Sequence, residues 1–292
     1  MKISILLICY NQEKYINKCI DSIIMQQIPF EYEVIVADDG SSDDTVTIIN
    51  TKLLDKVSNL RILDNSINHG ISKNYQRAFA ECKGEYIAVM EGDDYWTNPN
   101  RLLKHINFLD VHRECVMSMN RYTEYNESSN FFSHIGWHVS EEYKYITGHD
   151  MACGNKLGNL SACVFRKNEI DKIKSDLYNL EIADWMLGLV LCEYGYILLL
   201  KDITSVRRVH DKGEWSKMSI ENKKENLIKS IDTYNKYLNF KYDKEFSEFK
   251  FRLNNPNNLK LINKIDFVPP IFKYVFKLFM PKIIKQYIKK FI

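Results

Sequence analysis

Alternating strand-like and helix-like segments predict an α/β fold, a Rossmann-like, mostly parallel sheet with helices on both faces. Three observations carry that expectation. Apolar runs of strand length recur between segments with helical spacing. The runs are almost unbroken in Val, Ile and Leu, as strands covered on both faces are. Only 11 Gly and 6 Pro among 292 residues argue against a loop-rich or disordered chain.

Taken in order, residues 2–9 read as a first buried strand. Residues 11–26 follow with Ile16, Ile20, Ile23 and Ile24 on one helical side. Residues 33–37 form a second strand, and Asp43 or Asp44 can cap the helix at 45–56. A short strand at 61–63, a helix at 70–82 and a fourth strand at 85–90 complete the alternation. Residues 97–113 form a helix with Leu102, His105, Ile106 and Leu109 inward. The stretch 120–146 is polar and aromatic without clear period, which predicts long loops or short strands over a cleft. Residues 180–194 read as a helix opening near Asp184, 206–219 as an irregular segment crossing back, and 221–250 as charged and helical. Residues 254–258 read as a linker.

In parallel sheets, ligands bind beyond the carboxyl ends of the strands. Those ends carry Cys9, Tyr10 and Asn11, then Asp38 and Asp39, then Asn68 and Gly70, then Glu91, Gly92, Asp93 and Asp94. Three carboxylates and a glycine directly after a buried strand repel one another unless a cation or a proton lies among them. Asp39, beside Gly40, can offer an acceptor to the ring N–H of a nucleotide base; its other reading is a turn-shaping residue.

These segments, in this order and at these spacings, resemble the family 2 glycosyltransferases of GT-A fold. The resemblance runs from residue 3 to about residue 216. It is carried by Ile8-Cys9-Tyr10-Asn11, Asp38-Asp39-Gly40-Ser41-Ser42, Asn68-His69-Gly70, Gly84 to Trp96, Ala183-Asp184-Trp185 and Arg208-Val209-His210. It implies that Cys9, Tyr10, Asn11, Asp39, Asn68, Gly70, Glu91, Gly92, Asp93 and Arg208 line a nucleotide-sugar site. It implies Mn²⁺ or Mg²⁺ held by Asp93, with Asp94 and His210, against the diphosphate. Asp184 matches the general base of an inverting transfer, taking the acceptor hydroxyl's proton. Its other reading is an acid in a helix's first turn. The family's acidic motif begins with Asp; here Glu91 keeps the charge on a longer side chain. Asn159-Leu160-Ser161 and Phe165-Arg166 resemble the family's sugar and acceptor region.

Seven Cys without paired CxxC spacing read as reduced thiols of a cytoplasmic protein. No secretory leader and no membrane-spanning stretch is expected. Residues 221–292 carry 16 Lys+Arg against 7 Asp+Glu, so a basic tail follows a mildly acidic body. Within 267–292 the lysines recur at helical spacing beside aromatic residues, which suits the inner face of a plasma membrane; packing on protein is the other reading.

The domains expected are 1–220, holding the site, and 221–292, a helical C-terminal extension. The resemblance implies transfer of a sugar from a nucleotide-sugar donor, most simply UDP-linked, to a hydroxyl of a glycan or lipid-linked saccharide in bacterial surface polysaccharide assembly. No nucleic-acid partner is expected. A sugar nucleotidyltransferase would need a glycine-rich phosphate loop, and residues 8–14 contain no glycine. A non-catalytic nucleotide-sugar-binding module is the other alternative, and the retained Asp184 and acid cluster count against it.

Overall fold

The structure, a computed structural model, describes residues 1–135, 139–180, 184–213, 215–216 and 218–255. The expected alternation forms the amino-terminal part. It runs β1 (Ile3–Cys9), α1 (Ile16–Ile24), β2 (Tyr32–Asp38), α2 (Thr45–Leu53), β3 (Leu60–Ile62), α3 (Ile71–Glu81) and β4 (Tyr86–Glu91). These strands pair in parallel in the order β3-β2-β1-β4. Their side chains alternate between two covered faces. Ile3, Ile5, Leu7, Val34, Val36, Ala88 and Met90 pack with α1 and α2 in one core. On the other face, α3 buries Tyr75, Ala78 and Phe79. Each fully buried Val, Leu or Ile contributes roughly 1.5–3 kcal/mol; the polar residues buried near the starts of β1 and β2, Ser4 and Glu33, bond each other at 2.6 Å.

The second part departs from expectation. After β5 (Tyr95–Trp96) and α4 (Arg101–Val111) comes a long strand, β6 (Cys115–Asn126), then β7 (Phe131–Ile135) and β8 (Tyr143–Ile146). Of the two readings of 120–146, long loops or short strands, the strands form, the first of them the end of the 12-residue β6. A short helix α5 (Gly148–Ala152), a further strand β9 (Cys163–Arg166), α6 (Lys167–Ile170) and α7 (Asp184–Leu191) follow. The segment read as irregular from residue 206 begins inside a 14-residue strand, β10 (Tyr196–Val209). The sheet continues from β4 as β9-β6-β10-β5, with β7 on β6 and β8 on β10. β6 and β10 run parallel, whereas β9 is antiparallel to both β4 and β6. The sheet is thus parallel in its first half and mixed in its second.

The charged carboxy-terminal stretch forms two helices, α8 (Ile220–Tyr237) and α9 (Asp243–Asn254). Residues Met1–Lys250 make one compact unit. Tyr242, Phe246 and Phe249 are buried, and Phe246 and Phe249 pack edge-on against Trp185 of α7. Trp185 is thus a core residue, and its indole donates to the Met151 carbonyl at 2.6 Å. Among the described residues, which include all seven cysteines, no disulfide forms. Among the described residues no helix is long and apolar enough to cross a membrane. Residues 267–292, read as the basic tail, and most of the expected linker lie outside the described residues.

Candidate active site

The carboxyl ends of β1, β2 and β4 lie side by side, because β1 pairs with both of the others. Two acidic turns therefore become neighbours. The first follows β2. Asp38 is fully buried and accepts backbone N–H bonds from Gly40 at 3.1 Å and Ser41 at 2.8 Å. Asp39 accepts from the His69 N–H at 2.8 Å and the Gly70 N–H at 3.0 Å. Asp39 thereby ties the loop carrying Asn68 and Gly70 to the end of β2. Gly70, at φ 79°, takes a left-handed turn, and a Cβ there would meet nothing.

Asn11 also sits at positive φ and accepts the Ser42 N–H at 2.8 Å. The neighbouring ring, Tyr10, is 49% exposed and free to pack on a planar ligand. Cys9 points inward, its thiol against Asp38, and burial together with that carboxylate holds it well above the usual thiol range. Asp43, rather than Asp44, caps α2 through the Thr45 N–H at 3.0 Å.

The second acidic turn follows β4. Glu91, Asp93 and Asp94 crowd here without enough donors. Burial first, then the charges of Asp94, Asp93 and Asp184, push Glu91 up to about 8. Burial, then Asp93, pushes Asp94 up to about 7. Ser161 bridges the two: its hydroxyl accepts the Glu91 N–H at 3.0 Å and donates to Asp94 at 2.7 Å. Tyr75 donates to Glu91 at 3.1 Å. Gly92 is packed tightly; a Cβ there would sit 2.2 Å from the Gln12 carboxamide oxygen and 2.9 Å from Ile16. Its place is a close approach between β4 and the β1 loop.

β10 fastens this turn from the other side. The Arg208 N–H donates to Asp94 at 2.9 Å and its Nε to the Asp93 carbonyl at 2.9 Å. The guanidinium lies over the rings of Tyr15, Tyr95 and Tyr125, 4.9 to 5.7 Å from their centroids. With its side chain only 9% exposed, Arg208 is largely committed to the protein. His210 sets Nε2 3.1 Å from the Asp93 carboxylate, stacks near Tyr15, and leaves a buried Nδ1 without a partner.

Asp184 opens α7. Its Oδ1 accepts the Trp185 N–H at 2.7 Å and the Asn155 carboxamide at 3.2 Å. It is close enough to the acid turn to raise Glu91. The structure thus gathers Glu91, Asp93, Asp94, Asp184, Arg208 and His210 at one edge.

Sequence reasoning missed several contributors. Arg207 faces the opposite side of β10 from Arg208. It pairs with Glu124 at 2.9 Å, and its pKa is raised despite burial by Tyr122, Glu124, Asp184 and Asp94. Reading 206–209 as a strand would have placed these two arginines on opposite faces. Tyr15, Glu127 and Tyr75 carried no motif. Arg166, by contrast, pairs opposite Tyr86, the first residue of β4, at the end away from the acids. It clamps carbonyls of Cys115, Leu109 and His112.

Among the described residues no three His, Cys, Asp or Glu side chains form a group that holds a metal unaided. Asp94 spends its oxygens on Ser161 and the Arg208 N–H. Asp93 and His210 remain as an adjacent oxygen and nitrogen pair. Such a pair suits a divalent cation that draws the rest of its shell from phosphate oxygens and water.

Residues 4–173 match the family model described as glycosyl transferase family 2. The chain belongs to that family. It is 31% identical over 215 residues to the uncharacterized protein Rv1520 of Mycobacterium tuberculosis, covering 73% of this chain and 60% of that one. The chain therefore spans less than two thirds of the length of this relative. It is 36% identical over 121 residues to poly(ribitol-phosphate) β-N-acetylglucosaminyltransferase TarS of Staphylococcus aureus, covering 40% of this chain and 20% of TarS.

Among solved structures, residues 1–349 of S. aureus TarS in complex with UDP-GlcNAc superpose with TM-score 0.61 at 23% identity. That match covers 85% of this chain and 71% of that one. A mannosyltransferase of Pyrobaculum calidifontis, in complex with GDP-Man and Mn²⁺, superposes with TM-score 0.63 at 14% identity, covering 98% and 82%. The fold is GT-A, as the family resemblance implied.

Proposed function

We propose that this family 2 protein is an inverting glycosyltransferase that moves a sugar from a UDP-linked donor to a hydroxyl of a glycan or lipid-linked saccharide. The observation that carries the reading is the convergence of Asp184, the pair Asp93–His210 and the Glu91–Asp94 turn at one strand-end cleft. The solved TarS structures with UDP-GlcNAc and UDP, and the mannosyltransferase with GDP-Man and Mn²⁺, support a nucleotide-sugar donor.

In this reading the Tyr10 ring packs on the base. Asp39 presents lone pairs to it while holding the His69–Gly70 loop in place. Asp93 and His210 would hold Mn²⁺ or Mg²⁺, which when bound offsets the charge of the departing diphosphate. Asp184 accepts the proton of the attacking hydroxyl, its carboxylate oriented through Oδ1 by Asn155 and the Trp185 N–H. One displacement with one base inverts the anomeric centre. Arg207 supplies a positive charge near both Asp184 and Asp94. Catalysis is assigned to residues 1–220, and contact with the inner face of the membrane to the basic segment 267–292 of the extension 221–292.

The test is a transfer and donor-hydrolysis assay with a panel of nucleotide sugars and Mn²⁺, on wild type and Asp184→Asn. Sugar release by wild type with loss in the variant, and an inverted anomer in the product, is expected. UDP binding with no turnover of any donor in the presence of a saccharide acceptor panel would sink the enzymatic reading.

A further inference from the structure

Ser161 joins the acid turn to a second polar region. Its carbonyl accepts from Trp96 Nε1 at 2.8 Å and from Arg101 Nη2 at 3.1 Å. Arg101 is fully buried, stacks on Trp96 at 4.6 Å and donates Nε to Asn120 at 2.8 Å. Its Nη1 has no partner. Among the described residues no carboxylate pairs with it. Arg166 shows that this fold can satisfy a buried guanidinium, since every one of its nitrogens finds an oxygen. Arg101 is the contrast: a buried cation that, like Arg166, meets no carboxylate among the described residues but also leaves one Nη without an oxygen, a costly arrangement in a medium of low dielectric. Burial draws its pKa down to about 9.

Arg101 lines an open cavity of about 240 Å³, together with Asn100, Lys104, His105, Asp202 and Thr204. The Thr204 hydroxyl is also buried without a partner. Lys104 and Asp202 pair with each other, so their charges cancel. His105 is held neutral by burial and by the Arg101 charge, its two nitrogens engaged by Ser118 and Asn120. The lining therefore keeps one uncompensated positive charge. A water's share of liquid volume is about 30 Å³, so the space admits a small polyatomic anion with companion waters.

We propose that this cavity is a binding site for a small oxyanion such as phosphate, with Arg101 as its counter-charge, Thr204 as a donor and Lys104 at its mouth. Binding here is separate from the donor cleft, yet Ser161 touches both, so occupancy stiffens the residue that holds Asp94.

The experiment is thermal denaturation and calorimetric titration with inorganic phosphate, in EDTA, against potassium chloride at matched ionic strength. Wild type is compared with Thr204→Val, Lys104→Ala, Arg101→Met and Asp93→Ala. Phosphate is expected to raise the wild-type Tm by roughly 5 °C near a hundred times its Kd. The same rise is expected in Asp93→Ala, and an affinity at least about tenfold weaker in Thr204→Val, the loss of one buried hydrogen bond. Should Arg101→Met not fold, Thr204→Val and Lys104→Ala carry the comparison. The proposal is overturned if phosphate stabilises no more than chloride does. It is equally overturned if the effect persists in Thr204→Val and Lys104→Ala but vanishes in Asp93→Ala, which would put the ion in the donor cleft. Donor binding is read separately with UDP and Mn²⁺, so failure of either idea leaves the other intact.

Discussion

The two acidic turns sit on strands one apart in the sheet, yet their carboxylates live differently. Asp38 and Asp39 each accept two backbone N–H groups and are, in effect, parts of the backbone. Glu91, Asp93 and Asp94 face one another, and two of them are pushed toward neutrality by burial and mutual repulsion. Both turns read as runs of acids flanking glycine. The difference is how many donors reach them. A carboxylate that accepts two backbone N–H groups away from other acids fixes a loop and keeps lone pairs over; carboxylates buried against one another are poised for a cation or a proton.

The largest expected effect breaks the comparison at its chemical end. Asp184→Asn should cut the transfer rate about 10²–10⁴-fold while leaving UDP affinity within a factor of two or so by calorimetry. Retained transfer would assign the base elsewhere. Next, Asp93→Ala should abolish the Mn²⁺-dependent part of UDP binding, a loss larger than the ~10–100-fold typical of residues standing behind a metal ligand. An unchanged Mn²⁺ dependence would mean that the second turn holds no cation.

A matched pair sharpens the contrast. Asp38→Asn removes an acceptor from a saturated turn and should destabilise by about 1–3 kcal/mol, read as a lower Tm. Glu91→Gln relieves repulsion and should raise the Tm of the metal-free protein at pH 8. Equal losses in the two variants would erase the distinction.

The pH dependence follows from the same group. Glu91 is raised from 4.5 to about 8, so between those values the folded state binds more protons than the unfolded state. Its contribution is therefore favourable below pH 4.5 and is lost as pH climbs to about 8. In EDTA, stability should fall across that window and flatten in Glu91→Gln; added Mn²⁺ should restore stability at the alkaline end. The smallest effect is at the base: Tyr10→Ala should weaken UDP binding by about tenfold, the ~1 kcal/mol scale of one stacked ring.

The first half of the fold was legible because β1, β2 and β4 are buried on both faces and so are written as unbroken apolar runs. The second half was not. β6 buries Ser118 and Asn120, which serve the His105 and Arg101 network, and those polar positions hide the strand signal. β10 carries Asp202 at the cavity and Arg207 and Arg208 near the acid turn, which made its distal half look irregular. The acid turn was read from carboxylates crowded after a buried strand, and Asp184 and His210 were singled out by the family resemblance. Ser161, the hinge of the whole arrangement, was noticed only as part of a weak sugar-region resemblance, since one serine carries no periodicity.

By itself, then, the chain settles which strands are buried and which residues stand at their ends, because burial and turn chemistry are local and leave their mark residue by residue. Only the tertiary structure decides that Asp39 takes its donors from the His69–Gly70 loop, that Asp94 meets Ser161 and the Arg208 N–H, and that Glu91 is left beside other carboxylates. Those outcomes depend on groups from 30 to 114 residues apart arriving within hydrogen-bond reach, and a charge's surroundings, unlike its identity, are made by folding.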